Sequence, residues 1–256
     1  MRVAVTDGFV ELDCLGPAAV VAADPAPSGV AVKPASHREY LITICRWCGH
    51  TAGVTRDDWV AEGSREFASL RGRRIDSWVG VEMALREDVA GSGPQFSEPA
   101  VPCLQLWGLQ ASLNDGSALS VGSYQDDACF GLWTDQEREF QDKLRDRGLW
   151  DGIYRWRPLT ELPTGQVDQV AVFVDEVDGV LAEVALRIGG RPLLLIAGEL
   201  WETSEGGLEF HRLDESVLVF TDPAAAGHLD WIPSRQGLVR IHDSGSGSVG
   251  SCAGGE

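Results

Sequence analysis

The sequence predicts a mainly β (α+β) protein: antiparallel sheets from two tandem β-rich modules, with one or two short helices. Three observations predict it. Short alternating or β-branched runs are separated by Gly, Pro, Asn and Asp turn chemistry. Helix-opening signals occur at only a few places. One pattern also occurs twice, with Leu70-Arg71-Gly72-Arg73-Arg74-Ile75-Asp76 matching Leu162-Pro163-Thr164-Gly165-Gln166-Val167-Asp168, and Asp127 to Asp135 (DACFGLWTD) matching Asp214 to Asp222 (DESVLVFTD).

The elements follow in chain order. Residues 1–52 read as an all-β segment, with runs at Arg2 to Thr6, Phe9 to Leu12, Ala19 to Ala22, Gly29 to Val32 and Tyr40 to Cys45 between Pro- and Gly-rich turns. The first β-rich module covers 53–148. It opens on a helix from about Thr55 to Leu70, with Thr55 as cap, Asp57 and Asp58 against the amino-terminal dipole, and Trp59, Val60, Phe67 and Leu70 as an apolar face that Gly63 weakens. In the strand that follows, Ile75, Ser77, Val79, Val81 and Met83 occupy one face and Asp76, Trp78, Gly80 and Glu82 the other. A Gly/Ser/Pro linker, Ala90 to Pro102, leads to Leu104–Leu106 and the series Leu109, Ala111, Leu113. Asn114-Asp115-Gly116-Ser117 is then a hairpin turn before Leu119 to Val121. Thr134 to Leu144 reads as a second helix, stopped by Gly148.

The second module covers 149–243. Val170, Val172 and Val174 alternate with their neighbours, and Leu181 to Ile188 passes through Gly189-Gly190 into Leu193 to Ile196. Counted without a gap from Leu106 onto Leu181, Leu109 falls on Val184, Leu113 on Ile188, Leu119 on Leu194 and Val121 on Ile196. The Gly/Ser-rich tail, 244–256, is expected to be disordered because it lacks apolar area to offset the entropy of ordering.

Charge narrows the function. Against 39 Asp and Glu stand 21 Lys and Arg, a formal net charge of -18. Such a field repels phosphate backbones, which argues against direct nucleic-acid binding, and it speeds encounter with a basic protein partner. No run approaches the roughly 20 apolar residues of a membrane span. The start passes straight into alternation with no secretory signal, so a cytoplasmic protein is expected. The six cysteines are sparse for 256 residues and read as reduced thiols.

Motifs for chemistry are few. Cys45-Arg46-Trp47-Cys48-Gly49-His50 has metal-ligand spacing, but a closed zinc site needs four ligands and no second Cys-x-x-Cys occurs. No cofactor is expected. The competing reading is a zinc-dependent module or enzyme built on Cys45, Cys48 and His50. Nucleophile elbows, phosphate loops and His-Glu-x-x-His do not occur, so no catalytic residue is assigned. Acid gathers instead at Asp126-Asp127, Asp175 to Asp178, Glu199 with Glu202 and Glu205, and Asp214-Glu215. Paired carboxylates of this kind suit solvated loops, a divalent cation, glycoside chemistry or a protein-binding rim. Nine tryptophans suit core packing and, where exposed beside acid, interface anchoring.

The phrase Ala197-Gly198-Glu199-Leu200-Trp201-Glu202, followed by Asp214-Glu215-Ser216-Val217-Leu218-Val219-Phe220, resembles β-rich immunity proteins encoded beside bacterial polymorphic toxins. The likeness covers residues 70 to 222. It implies a cytoplasmic antitoxin that binds a cognate, nucleic-acid-directed toxin and occludes its active site. The acidic balance agrees with that implication. The partner-binding residues expected are Asp126, Asp127, Glu199, Trp201, Glu202, Asp214 and Glu215.

Overall fold

In the computed structural model the chain divides into two compact units, Met1–Ile44 and Cys45–Glu256. The residues it describes are 4–6, 9–11, 56–87, 91–126, 129–135, 152–211, 216–228 and 237–241. In the first unit, β1 (Ala4–Thr6) and β2 (Phe9–Glu11) form an antiparallel pair with Ala4 opposite Glu11. The other strands expected before residue 52, the helix after residue 135 and the tail from 244 lie outside the described residues.

The second unit is mainly β. Helix α1 (Arg56–Ser69) begins one residue after Thr55, the expected cap, with Asp57 and Asp58 in its first turn. Phe67 and Leu70 bury its inner face completely. Four strands then form an antiparallel meander: β3 (Arg74–Met83), β4 (Leu104–Leu113), β5 (Ala118–Asp126) and β6 (Cys129–Asp135). After β7 (Tyr154–Pro158) come β8 (Gly165–Asp175), β9 (Val180–Ile188) and β10 (Arg191–Ala197), then a side hairpin of β11 (Glu199–Glu202) and β12 (Leu208–His211), and β13 (Val217–Phe220). Strands β8, β9, β10 and β13 make the second meander. A short helix α2 (Pro223–Ala226), capped by Asp222 accepting from the Ala224 N–H, and β14 (Leu238–Ile241) follow.

The two meanders are laced together. β4 pairs with β13 and β3 pairs with β8, so β3, β4, β13, β10, β9 and β8 close into a six-stranded barrel that leaves these strands no unpaired partner edge where they meet. Arg74 pairs with Gln166, its own counterpart in the repeated phrase, and Ile75 with Gly165. The pairing of β3 with β4 shifts register between Ile75 and Ser77 and again between Val81 and Glu82. The pairing of β8 with β9 shifts between Val167 and Gln169 and between Phe173 and Val174, which are the same positions of the repeat. Two bulges placed alike twist and bend both hairpins in the same way.

Those bulges correct one expectation. Period-two alternation put Trp78 opposite Ile75, but the bulge between Ile75 and Ser77 returns Trp78 to the core face. Its indole N–H donates to the Pro163 carbonyl at 2.8 Å. A second correction concerns the gapless count. Leu109 pairs with Val121, whereas Val184 pairs with Leu195, so the counterpart of Val121 is Leu195 rather than Ile196. The cause is turn length: Leu113 closes on Ser117 around three residues, Ile188 on Arg191 around two. Leu109, Leu113, Val184 and Ile188 do occupy matching places in the main core. A third correction is at Thr134, expected to open a helix; Thr134 and Asp135 are strand residues paired with Val121 and Ser120.

Inside the barrel, Ile75, Leu106, Leu109, Leu181, Leu193 and Leu195 belong to one core with Phe67 of α1 and Leu70 just after it. β10 is buried on both faces, which its unbroken Leu193 to Ala197 run requires. Its outer residues, Leu194 and Ile196, join Leu85, Leu200, Leu218, Phe220 and Ala226 in a second core. No described helix is long and apolar enough to cross a membrane.

Candidate functional site

The side hairpin carries the sequence-expected residues that the structure describes. It leaves β10 at Gly198, whose φ of +147° and tight surroundings exclude other residues: a Cβ there would stand 2.5 Å from Phe210 Cε2. Glu199 lies buried at 4% exposure and accepts a hydrogen bond from Ser216 Oγ at 3.1 Å. It therefore supports the hairpin's root and faces no rim. Beside it the buried Gln105 of β4 accepts the Leu200 N–H at 2.7 Å and points its amide nitrogen at the Ala84 carbonyl. The hairpin is thus tied to the barrel by side-chain amide and carboxylate rather than by a ladder.

Arg86 holds the outer end. Its guanidinium binds Glu202, Glu98 at 3.1 Å and the Gly206 carbonyl at 2.8 Å. Burial opposes its charge, but the hydrogen bonds it donates to Glu202 and Glu98 prevail and raise its pKa. Between these two anchors Trp201 stands 39% exposed, its ring stacked on His211 with centroids 4.3 Å apart. Glu209 lies 3.7 Å from the His211 Nε2, and Glu205 is exposed at the turn. The result is a flat aromatic pair edged by carboxylates on a braced hairpin.

The remaining expected residues are not brought into this site by anything described. Asp126 ends β5 opposite Cys129, and its side chain, with Asp127, Asp214 and Glu215, lies outside the described residues. The same holds for Cys45, Cys48 and His50. Among the described residues no group of three or more His, Cys, Asp or Glu is placed to hold a metal ion.

Two further arrangements escaped the sequence reading. Glu82, buried at 1% exposure on β3, receives Arg155 Nε at 2.6 Å and Arg157 Nε at 2.8 Å from β7, and Arg157 also pairs with Glu161 at 2.5 Å. The hydrogen bond from Arg157 holds the Glu161 carboxyl below the usual range. This network pins β7 to the barrel. Arg-x-Arg on alternate strand positions opposite a strand Glu was its available signal. The second is a pocket of about 280 Å³ between α1 and the β5–β6 ribbon, lined by Trp59, Glu62, Glu66, Tyr124, Trp133 and Thr134.

No protein-family profile, curated protein or solved structure matches this chain.

Proposed function

We propose that this chain is a non-enzymatic acidic binding protein, an antitoxin-like inhibitor that covers the basic active site of a nucleic-acid-directed toxin. The observation that carries the reading is Trp201. A half-exposed indole stacked on His211, with Glu209 opposite it on β12 and Glu205 exposed at the turn, is an apolar anchor beside acid. Its bracing by Gln105 and Arg86 lowers the entropy lost on docking. The net charge of -18 favours encounter with a basic surface. Asp126, Asp127, Asp214 and Glu215 belong to the same proposed interface. Buried Glu199 supports it from beneath.

The test is binding to, and inhibition of, the product of an adjacent reading frame encoding a toxin. Raising salt from low to physiological concentration should slow association. Trp201→Ala should weaken binding by roughly 2 kcal/mol or more if the ring is covered on docking. Charge reversal at Glu205 and Glu209 should cost more than reversal at Asp76 and Glu176. An affinity indifferent to salt with contacts confined to residues 1–52 rejects the reading, as does turnover of a small substrate by the isolated chain.

A further inference from the structure

We infer that the pocket between α1 and the β5–β6 ribbon is a binding site for a guanidinium-type organic cation. The inference stands on this pocket alone and does not rest on the partner reading above. Trp59, Glu62 and Glu66 stand three and four residues apart, so they share one face of α1. That face turns toward Tyr124 of β5 and Trp133 and Thr134 of β6. Gly63, on the same helix, lets α1 settle onto β9: a Cβ there would lie 3.3 Å from Leu181 Cδ1. Trp59 meets Tyr124 edge to face, with centroids 4.6 Å apart and planes at 69°. This contact fixes the ring that forms one wall.

The chemistry of the walls selects the ligand. Two carboxylates with indole and phenol faces attract positive charge, through ion pairing and through the negative faces of the rings. An anion is repelled by both carboxylates, and a neutral apolar group gains nothing from Glu62 and Glu66. A flat guanidinium satisfies both features, because it stacks on an indole while its N–H fork reaches a carboxylate. The volume, about 280 Å³, falls just below the roughly 300–1,000 Å³ usual for small-molecule sites, which suits one amino-acid side chain or a comparably small cation. The same head group is presented by a free guanidine and by an arginine in a polypeptide.

Methylguanidine and an acetyl-Gly-Arg-Gly-amide peptide are the two probes, with Nα-acetyl-norleucine amide as the neutral control and Nα-acetyl-lysine amide as the ammonium control. Isothermal titration of the full chain should show saturable binding of a guanidinium probe, tighter than Nα-acetyl-lysine amide, with no heat from Nα-acetyl-norleucine amide. The indole N–H resonances of Trp59 and Trp133 should shift on titration and that of Trp201 should not. Binding of methylguanidine and peptide alike assigns the head group as sufficient, and binding of the peptide alone assigns a polypeptide as the source. Glu62→Gln, at an exposed position, should weaken binding by about tenfold, the scale of losing one charge-assisted bond. Trp59→Leu should do the same while retaining the wild-type circular dichroism. Trp201→Ala should leave cation binding unchanged, which separates this site from the proposed partner surface. Absence of shifts at Trp59 and Trp133 with every probe overturns the proposal. So does binding that survives both replacements, or that depends only on probe charge.

Discussion

Asp115 is the residue whose environment most directly sets a pH response. Its carboxylate accepts the Ser117 hydroxyl at 2.7 Å, the Ser117 N–H at 3.0 Å and an Arg73 N–H at 2.5 Å, and these bonds bring its pKa down to about 2. A carboxylate depressed in the folded state contributes stability above its unfolded value, about 3.9, and loses it as pH falls through the folded value. Asp115→Ala should therefore melt below the wild type at pH 7. The difference should close between about pH 5 and pH 2 in paired thermal scans. Cys103 shows the opposite displacement, since burial alone pushes its thiol up to about 12. A free thiol so raised should react with a disulfide reagent at pH 8 far more slowly than in the denatured chain. In the core, Ile188→Ala should cost about 2–5 kcal/mol by denaturant unfolding, because it deletes three carbons from a site with no exposure.

At the level of elements, the side hairpin is the sharpest case. Four-residue strands have little intrinsic stability, and this pair packs Leu200 and Phe210 onto the second core. Gln105→Leu removes the acceptor of the buried Leu200 N–H. It should cost about 1–3 kcal/mol and raise hydrogen exchange at that amide before the barrel amides respond. Gly198→Ala should destabilise further, because the new Cβ meets the Phe210 ring at a φ that other residues rarely adopt. Neither residue announces itself in the sequence. Gln105 sits in an apolar run as an ordinary strand residue, and Gly198 is one glycine among 30. The hairpin strands and α1 were legible from Gly189-Gly190, Asp115-Gly116 and the Asp57-Asp58 opening, since turns and caps are set by neighbours a few residues away.

For the whole molecule, ring closure is the governing fact. Residues 53–148 and 149–243 each hold one meander, yet β3 and β4 complete their pairing with β8 and β13. β6 also lies against the start of β9: a Cβ on Gly131 would stand 3.0 Å from Val180 Cβ and 3.2 Å from the Leu181 carbonyl oxygen. A fragment of residues 53–148 alone would expose the β4 edge, the β3 edge and half of the main core to water. Such a fragment should show no cooperative unfolding, and mixing it with a fragment of residues 149–243 should restore a transition measurable by tryptophan fluorescence. An independent, cooperative transition of the single fragment would mean that the lacing is dispensable.

The sequence by itself determined the class, the long strands β3, β4, β8, β9 and β10, the Asp115-Gly116 and Gly189-Gly190 turns and the repeat, because period-two alternation, Gly and Asp-Gly chemistry and matching phrases are local or linear properties. It also determined the charge and singled out Trp201 and Glu202 as expected partner-binding residues. Only the tertiary structure decided that Trp78 turns inward, that the repeat gains a residue at its first hairpin, and that the meanders share one barrel. It alone made Glu199 a buried support, gave Glu82 its two arginines and assembled Trp59, Glu62, Tyr124 and Trp133 around one pocket. The physical reason is the same throughout: bulges, loop lengths and burial are fixed by which strands pair across long separations, and alternation along one strand carries no information about its partner.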